Sequence, residues 1–271
     1  MLVCMSLSRW TRNTRGLAPR VSALILARWV SAGATRAHAA PPAPGLSLTW
    51  NDCPGGATAS QNLSYACNGN TDSFQLVCSL VVQNAIAGVI GAELVIDLQS
   101  SDPVAVPDWW RLDGSGTGGC RAGGFDTIFD FSTNPGCTDA WQGNGFGGNQ
   151  GFSVGLPDHP SPTQARIKEV AAVTSTNAVT LSPGVVYGLL KLVINSSSTT
   201  SGPACAGCAE PACLVFNSVW IRVKPSAGSD VFISNGSSLG SNWATWQGTG
   251  ASCVSVPVRR PTWGAIKSLY R

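Results

Sequence analysis

Residues 73–98 read SFQLVCSLVVQNAIAGVIGAELVIDL, and their alternation decides the fold class. In residues 73–84, Phe74, Leu76, Cys78, Leu80 and Val82 fall on one face of an extended chain, and Gln75, Val77, Ser79, Val81 and Gln83 on the other, because successive side chains of a strand point oppositely. A two-residue period sustained this long predicts a half-buried strand. A turn at residues 85–88 leads into residues 89–98, where Ala92, Leu94, Ile96 and Leu98 alternate with Glu93, Val95 and Asp97. The two runs read as an antiparallel hairpin.

Similar segments follow at residues 125–131 (FDTIFDF), 166–174, 185–195 (VVYGLLKLVIN), 214–224 (LVFNSVWIRVK) and 230–234. Ser182-Pro183-Gly184, residues 225–228 and Asn235-Gly236 supply turn chemistry between them. Many short strands so punctuated predict an all-β chain: a single antiparallel β-sandwich over residues 46–258, after a Pro-rich linker at 40–45. Residues 108–162 become rich in Gly, Asn and Trp and hold Cys120 and Cys137. They read as a disulfide-linked insertion between sandwich strands.

Composition narrows the class further. With 11% charged residues, 31 Gly and 10 Cys in 271 residues, the chain is unlike a helical bundle or an ordinary cytosolic enzyme. The net charge of +3 comes from an uneven distribution: Arg9, Arg12, Arg15, Arg20, Arg28 and Arg36 all precede position 40, where there is no acidic residue. Removing those six from the 17 Lys+Arg leaves 11 basic against 14 acidic residues. A mildly acidic body lacks the clustered basic face that nucleic acid requires. Residues 1–39 read as a signal peptide, with early arginines, an apolar run VSALILA at 21–27, and Ala37-His38-Ala39 as a small-x-small cleavage site. That run is far shorter than the about 20 residues a bilayer span needs. The expected location is therefore secreted, extracellular or cell-surface, the periplasm included.

The segment GVIGAELVIDL at residues 88–98, followed by Asp102-Pro103, resembles the second and third strands of cohesin-like domains, and the central part is similar to cohesin-like or carbohydrate-binding-module-like β-sandwich domains. Ser182-Pro183-Gly184 with residues 185–195 is similar to that family's turn into a strand. The resemblance implies a cohesin-like or jelly-roll sandwich. The Cys- and Trp-rich stretches at 108–162 and 205–213 depart from the family, so its binding surface does not carry over. Cysteine spacing and the closing residues 262–271 (TWGAIKSLYR) resemble secreted, Cys-rich bacterial proteins, a likeness that brings no activity with it.

Without Cys4, nine cysteines remain, and export makes disulfides their default use. Nine is odd, so one is left over; Cys78, on an apolar face, is the candidate. Cys53 with Cys67 and Cys120 with Cys137 are the expected local pairs, leaving Cys205, Cys208, Cys213 and Cys253 to share two bridges. The segment CAGCAEPAC (205–213) also admits a redox reading, which needs a helix after it, and a zinc reading, which needs Cys253 or His159 as fourth ligand. Structural disulfides are the stronger expectation, and no metal or other cofactor is expected.

No catalytic residue is assigned. His159, beside Asp158 in a proline-bounded loop, has no nucleophile elbow to serve. Asp126 and Asp130, at even spacing, could form the acid pair of a hydrolase or simply line the wet side of an edge strand. The run GNGFGGNQG (143–151) offers carbonyls to calcium but no carboxylate. The sequon matches at Asn62, Asn195 and Asn235 fall in Ser/Asn-rich stretches that produce such matches by chance. Aromatics carry the better binding hint: in an extended segment one of Trp109 and Trp110 is exposed, and with Trp243 and Trp246 they would build a sugar-stacking or protein-contact surface. The expectation is a secreted, non-catalytic protein with a structural or adhesive role, its partner a polysaccharide or a cell-surface protein; a carbohydrate-binding module and a secreted hydrolase are the alternatives. Residues 259–271 form a tail in which Trp263, Ile266 and Tyr270 make an apolar helical stripe. The ten residues 262–271 do not hold a helix alone, so the tail either docks on its own domain or is read by an export or attachment partner.

Overall fold

A computed structural model describes residues 43–154, 161–200, 204–234, 241–248, 250–251 and 253. The leader, His159 and the C-terminal tail lie outside the described residues. In chain order the strands are β1 (Gly45–Trp50), β2 (Asn62–Leu63), β3 (Ser73–Val81), β4 (Ile86–Ser100), β5 (Phe125–Ile128), β6 (Thr138–Asp139), β7 (Phe146–Val154), β8 (Gln164–Ala172), β9 (Val179–Leu181), β10 (Tyr187–Asn195), β11 (Ala212–Val223), β12 (Val231–Ser234) and β13 (Trp243–Trp246). Helical structure among the described residues is confined to 3-10 turns such as Asp108–Trp110.

The strands form two sheets. One runs β1-β3-β10-β5 with β6 beside β10; the other runs β2-β13-β11-β4-β8-β7, with β12 beside β11 and β9 beside β4. Apart from the short parallel pairs β6–β10 and β2–β13, neighbours are antiparallel. The alternating residues meet between the sheets. Leu76, Cys78 and Leu80 of β3 and Leu190, Leu192 and Ile194 of β10 share a core with Ala92, Leu94, Ile96 and Leu98 of β4 and Phe216, Val219 and Ile221 of β11.

β3 and β4 form as expected, but not as a hairpin. β3 pairs with β1 and β10, whereas β4 pairs with β8, β9 and β11 in the opposite sheet. The connection is an arch across the core: each strand has an apolar face, and facing the two across the interior buries both. β3 is also more than half buried. Val77, Ser79 and Val81 on its outer face are buried as well, and residues 129–137 cross that face at Val77. There Phe131 packs with Cys53 and Val77, and the Cys53–Cys137 disulfide fastens the crossing segment.

The described part of the stretch 108–162 contributes strands to both sheets. It supplies β5 to one sheet and β7 to the other, at an edge of each. Residues 143–151, considered as a cation loop, are largely β7, which pairs with β8 from Phe146 to Val154. Three glycines in that strand, Gly147, Gly148 and Gly151, erase the side-chain alternation by which a strand is recognised.

The disulfides join Cys53 to Cys137, Cys67 to Cys208, Cys120 to Cys205 and Cys213 to Cys253, while Cys78 is a buried free thiol. The two local pairs expected from spacing do not form. Sequence neighbours such as Cys53 and Cys67 are carried apart by β2 and its flanking loops. Cysteines 84, 141 and 85 residues apart are brought together instead.

Candidate functional site

Trp109, Trp110 and Trp246 are fully buried, and Trp243 is half-buried against Cys213, Val215 and Ala251. This corrects the expected exposed surface. Asp108–Trp110 is a 3-10 turn rather than a strand, so adjacent side chains need not point oppositely, and both indoles enter the core. Trp246 is the hub: Trp109 stacks on it at 5.0 Å and 26°, and Trp110 meets it edge-on at 5.6 Å and 88°. Phe74, Tyr65 and Trp50 ring it at 5.0, 5.9 and 6.0 Å.

The cluster is closed by cross-linked loops. Cys205 and Cys208 anchor one loop to Cys120 and Cys67. The backbone of that loop accepts hydrogen bonds from the Trp109 amide at Ala206 and from Trp246 Nε1 at Cys208, at 2.8 and 2.7 Å. Gly207, at φ 103°, lies so close to Pro107 that a Cβ would sit 2.1 Å from the proline's. Because Cys205, Cys208 and Cys213 bond to three different partners, the segment is neither a redox pair nor a thiolate cluster.

Arg121 closes the other side of the cluster. Its guanidinium lies 4.4 Å above the Trp109 ring, and it is held by carbonyls rather than a carboxylate: Nε donates to Trp109 O at 3.0 Å, and the terminal nitrogens donate to Ser197 O and Asn195 O at 2.6 Å each. Burial lowers its pKa to about 10, which leaves it charged at neutral pH. A cation satisfied by carbonyls, under an aromatic face, binds three loops together.

The chemistry-bearing acid that alternation alone did not single out is Glu169. On β8 it shares the inward face with Ala165, Ile167 and Ala171, and it is 1% exposed. Thr127 Oγ1, on β5 of the opposite sheet, donates to Glu169 Oε2 at 2.7 Å, while Oε1 is buried without a partner. Burial, reinforced by the charge of Asp126 and opposed by the Thr127 hydrogen bond, pushes its pKa up to about 7. A carboxyl so placed carries a proton over most of the acidic range, where it bridges the sheets as a neutral group. Its register among Ala165, Ile167 and Ala171 was the signal that could have found it.

Asp126 and Asp130 are both exposed. Asp126 belongs to β5, but Asp130 lies past the strand's end and accepts from the Ser132 amide at 2.8 Å, which holds its carboxyl below the usual range. The two therefore do not share a strand face. Among the described residues no cluster of three or more His, Cys, Asp or Glu side chains is arranged to hold a metal.

The half-exposed aromatic surface lies elsewhere, on the outer face of the eight-stranded sheet. Trp220 of β11 sits between Phe232 of β12 and Glu93 of β4, with the Arg222 guanidinium 3.8 Å over its ring. Arg222 in turn pairs with Glu93 at 2.5 Å and Asp230 at 2.8 Å. Farther along the same sheet Arg166 Nε donates to Asp97 Oδ1 at 2.8 Å, and Asn217 Nδ2 donates to Asp97 Oδ2. The alternation in LVFNSVWIRVK, which sends Val219 and Ile221 inward, assigns Trp220 and Arg222 outward and was legible beforehand.

No protein-family model matches the chain, and no curated protein is significantly similar to it.

Proposed function

We propose that the chain is an exported, non-catalytic β-sandwich of cohesin-like or jelly-roll type, with a structural or adhesive role at the cell surface. The observation that carries this reading is the set of four disulfides, each joining residues 40 to 141 positions apart. Such bridges form and persist in oxidising compartments and are rare where thiols are kept reduced. The aromatic residues support the same reading, since most of the described tryptophans are buried in the interior. The outer face around Trp220, Arg222 and Phe232 is the surface we assign to contact, because an aromatic ring beside arginine is the composition of protein-contact surfaces. Polysaccharide as partner loses three of the four tryptophans on which it rested. Among the described residues no helix is long and apolar enough to cross a membrane.

The test is expression of the full gene, followed by N-terminal sequencing, cell fractionation and thiol counting. The expected product begins after Ala39, lies outside the cytoplasm and has one titratable thiol once denatured. A protein that retains Met1, remains in the cytoplasm and carries free thiols throughout would overturn the proposal. Deleting residues 262–271 should leave the melting temperature unchanged and reduce the amount held at the surface. A large fall in melting temperature with normal display would make the tail a packing element instead.

A further inference from the structure

Lys191 stands in the middle of β10, on the outer face of the five-stranded sheet, beneath the crossing segment 129–137. It is 3% exposed. Its Nζ donates to Asn134 Oδ1 at 2.9 Å and lies 5.6 Å from the centroid of the Phe131 ring. No ion pair joins it to a carboxylate among the described residues. A buried ammonium without a counter-ion is disfavoured and is driven toward its neutral form. Burial lowers the pKa of this amine, partly offset by the charges of Asp130 and Asp52. Asn134 is buried as well, at 2% exposure, and is fixed from its other end, where Nδ2 donates to Asn51 O at 2.8 Å.

We propose that Lys191 and Asn134 react to form an intramolecular amide cross-link. The oxygen that accepts from Nζ is bonded to Asn134 Cγ, and both residues are almost wholly buried, so amine and carboxamide are kept together away from water. A desolvated amine in fixed contact with an electrophile is the arrangement that makes lysine a nucleophile. The neutral Nζ attacks Asn134 Cγ, the Nζ–Cγ bond forms, and the carbonyl electron pair moves onto Oδ1. On collapse the Cγ–Nδ2 bond breaks and Nδ2 departs, taking up a proton that Nζ gives up, as one molecule of ammonia. No oxidant, reductant or cofactor enters the balance.

The buried acid assigned to this proton transfer is Asp52, whose charge acts on Lys191. It is 2% exposed and fixed by the amides of Cys53 at 2.8 Å and Gly136 at 3.3 Å, on the two segments that meet over the sheet. The product is a neutral amide, which needs no counter-ion in the interior. The crossing segment would then be fastened to its sheet covalently at Asn134, beside the Cys53–Cys137 bridge.

Intact-mass measurement of the full-length protein, reduced and alkylated, tests this. The wild type is expected to be lighter than its processed sequence by one ammonia. Trypsin should fail to cut after Lys191 and should release a branched peptide joining residues 122–166 to residues 169–222. Asn134→Ala and Lys191→Arg should restore the full mass, and Asp52→Asn should leave an unreacted fraction. Wild-type protein of full mass, cut normally after Lys191, would overturn the proposal. So would an ammonia loss that fragmentation places at another asparagine. The wild-type measurement decides the matter even if a variant does not fold.

Discussion

Glu169 makes the stability of the molecule pH-dependent in a direction opposite to that of a paired carboxylate. Its pKa in the fold is raised from the ordinary 4.5 to about 7. Below about pH 4.5 the folded and unfolded chains both hold the proton, and the full stability is present. Between there and pH 7 only the unfolded chain releases it, so stability falls as pH rises through the folded value. The linkage is on the order of 3 kcal/mol. Glu169→Gln, which keeps the shape and the partner for Thr127, should abolish this slope: urea midpoints should match the wild type near pH 4 and exceed it above pH 7. Parallel curves for the two proteins across that window would show that the carboxyl does not hold its proton in the fold. At Arg121 the sign is simpler. Arg121→Met strips the carbonyls of Trp109, Asn195 and Ser197 of a donor, and leaving such groups buried and unpaired costs about 1–3 kcal/mol apiece. Urea unfolding should register a loss of at least that size, and an unchanged midpoint would mean that solvent replaces the guanidinium.

Among the elements, the segment 129–137 depends on a close approach that only glycine permits. A Cβ at Gly188 of β10 would lie 2.3 Å from Phe131 Cε1. Gly188→Ala should lift Phe131 and destabilise by about 1–3 kcal/mol, with hydrogen exchange rising in residues 129–137 before the central strands. Uniform exchange would show that the crossing segment and its sheet open together. The strands themselves were largely legible, since β3, β4, β10 and β11 carry their inward faces in plain alternation. Their neighbours were not. Alternation tells which face is apolar, not which strand lies beside it, and so β3 and β4 looked like a hairpin while spanning the core. β7 was hidden because glycines leave no pattern. Trp109 and Trp110 both point inward because a 3-10 turn follows different directional rules from a strand. Trp220 and Arg222 could be placed outward from LVFNSVWIRVK alone, but whether such a face stays open depends on what the rest of the chain does.

At the scale of the whole molecule, two sheets are held in one arrangement by bridges between segments remote in sequence. Closing loops of 40 to 141 residues restricts the unfolded chain by about 4–5 kcal/mol per bridge in the chain-entropy description. Spacing favours short loops when connectivity is guessed, yet the long ones record the topology: Cys67–Cys208 and Cys120–Cys205 exist because the loops after β2, before β5 and before β11 converge on the tryptophan cluster. Reduction should therefore loosen that end of the molecule, with Trp fluorescence shifting red before the strand signal is lost. Peptide mapping of the unreduced protein tests the two-sheet arrangement most directly. The expected peptides pair Cys53 with Cys137, Cys67 with Cys208, Cys120 with Cys205 and Cys213 with Cys253, and Cys78 is alkylated only after denaturation. Recovery of Cys53 bonded to Cys67, of Cys120 bonded to Cys137, or of Cys78 in any bridge would contradict it.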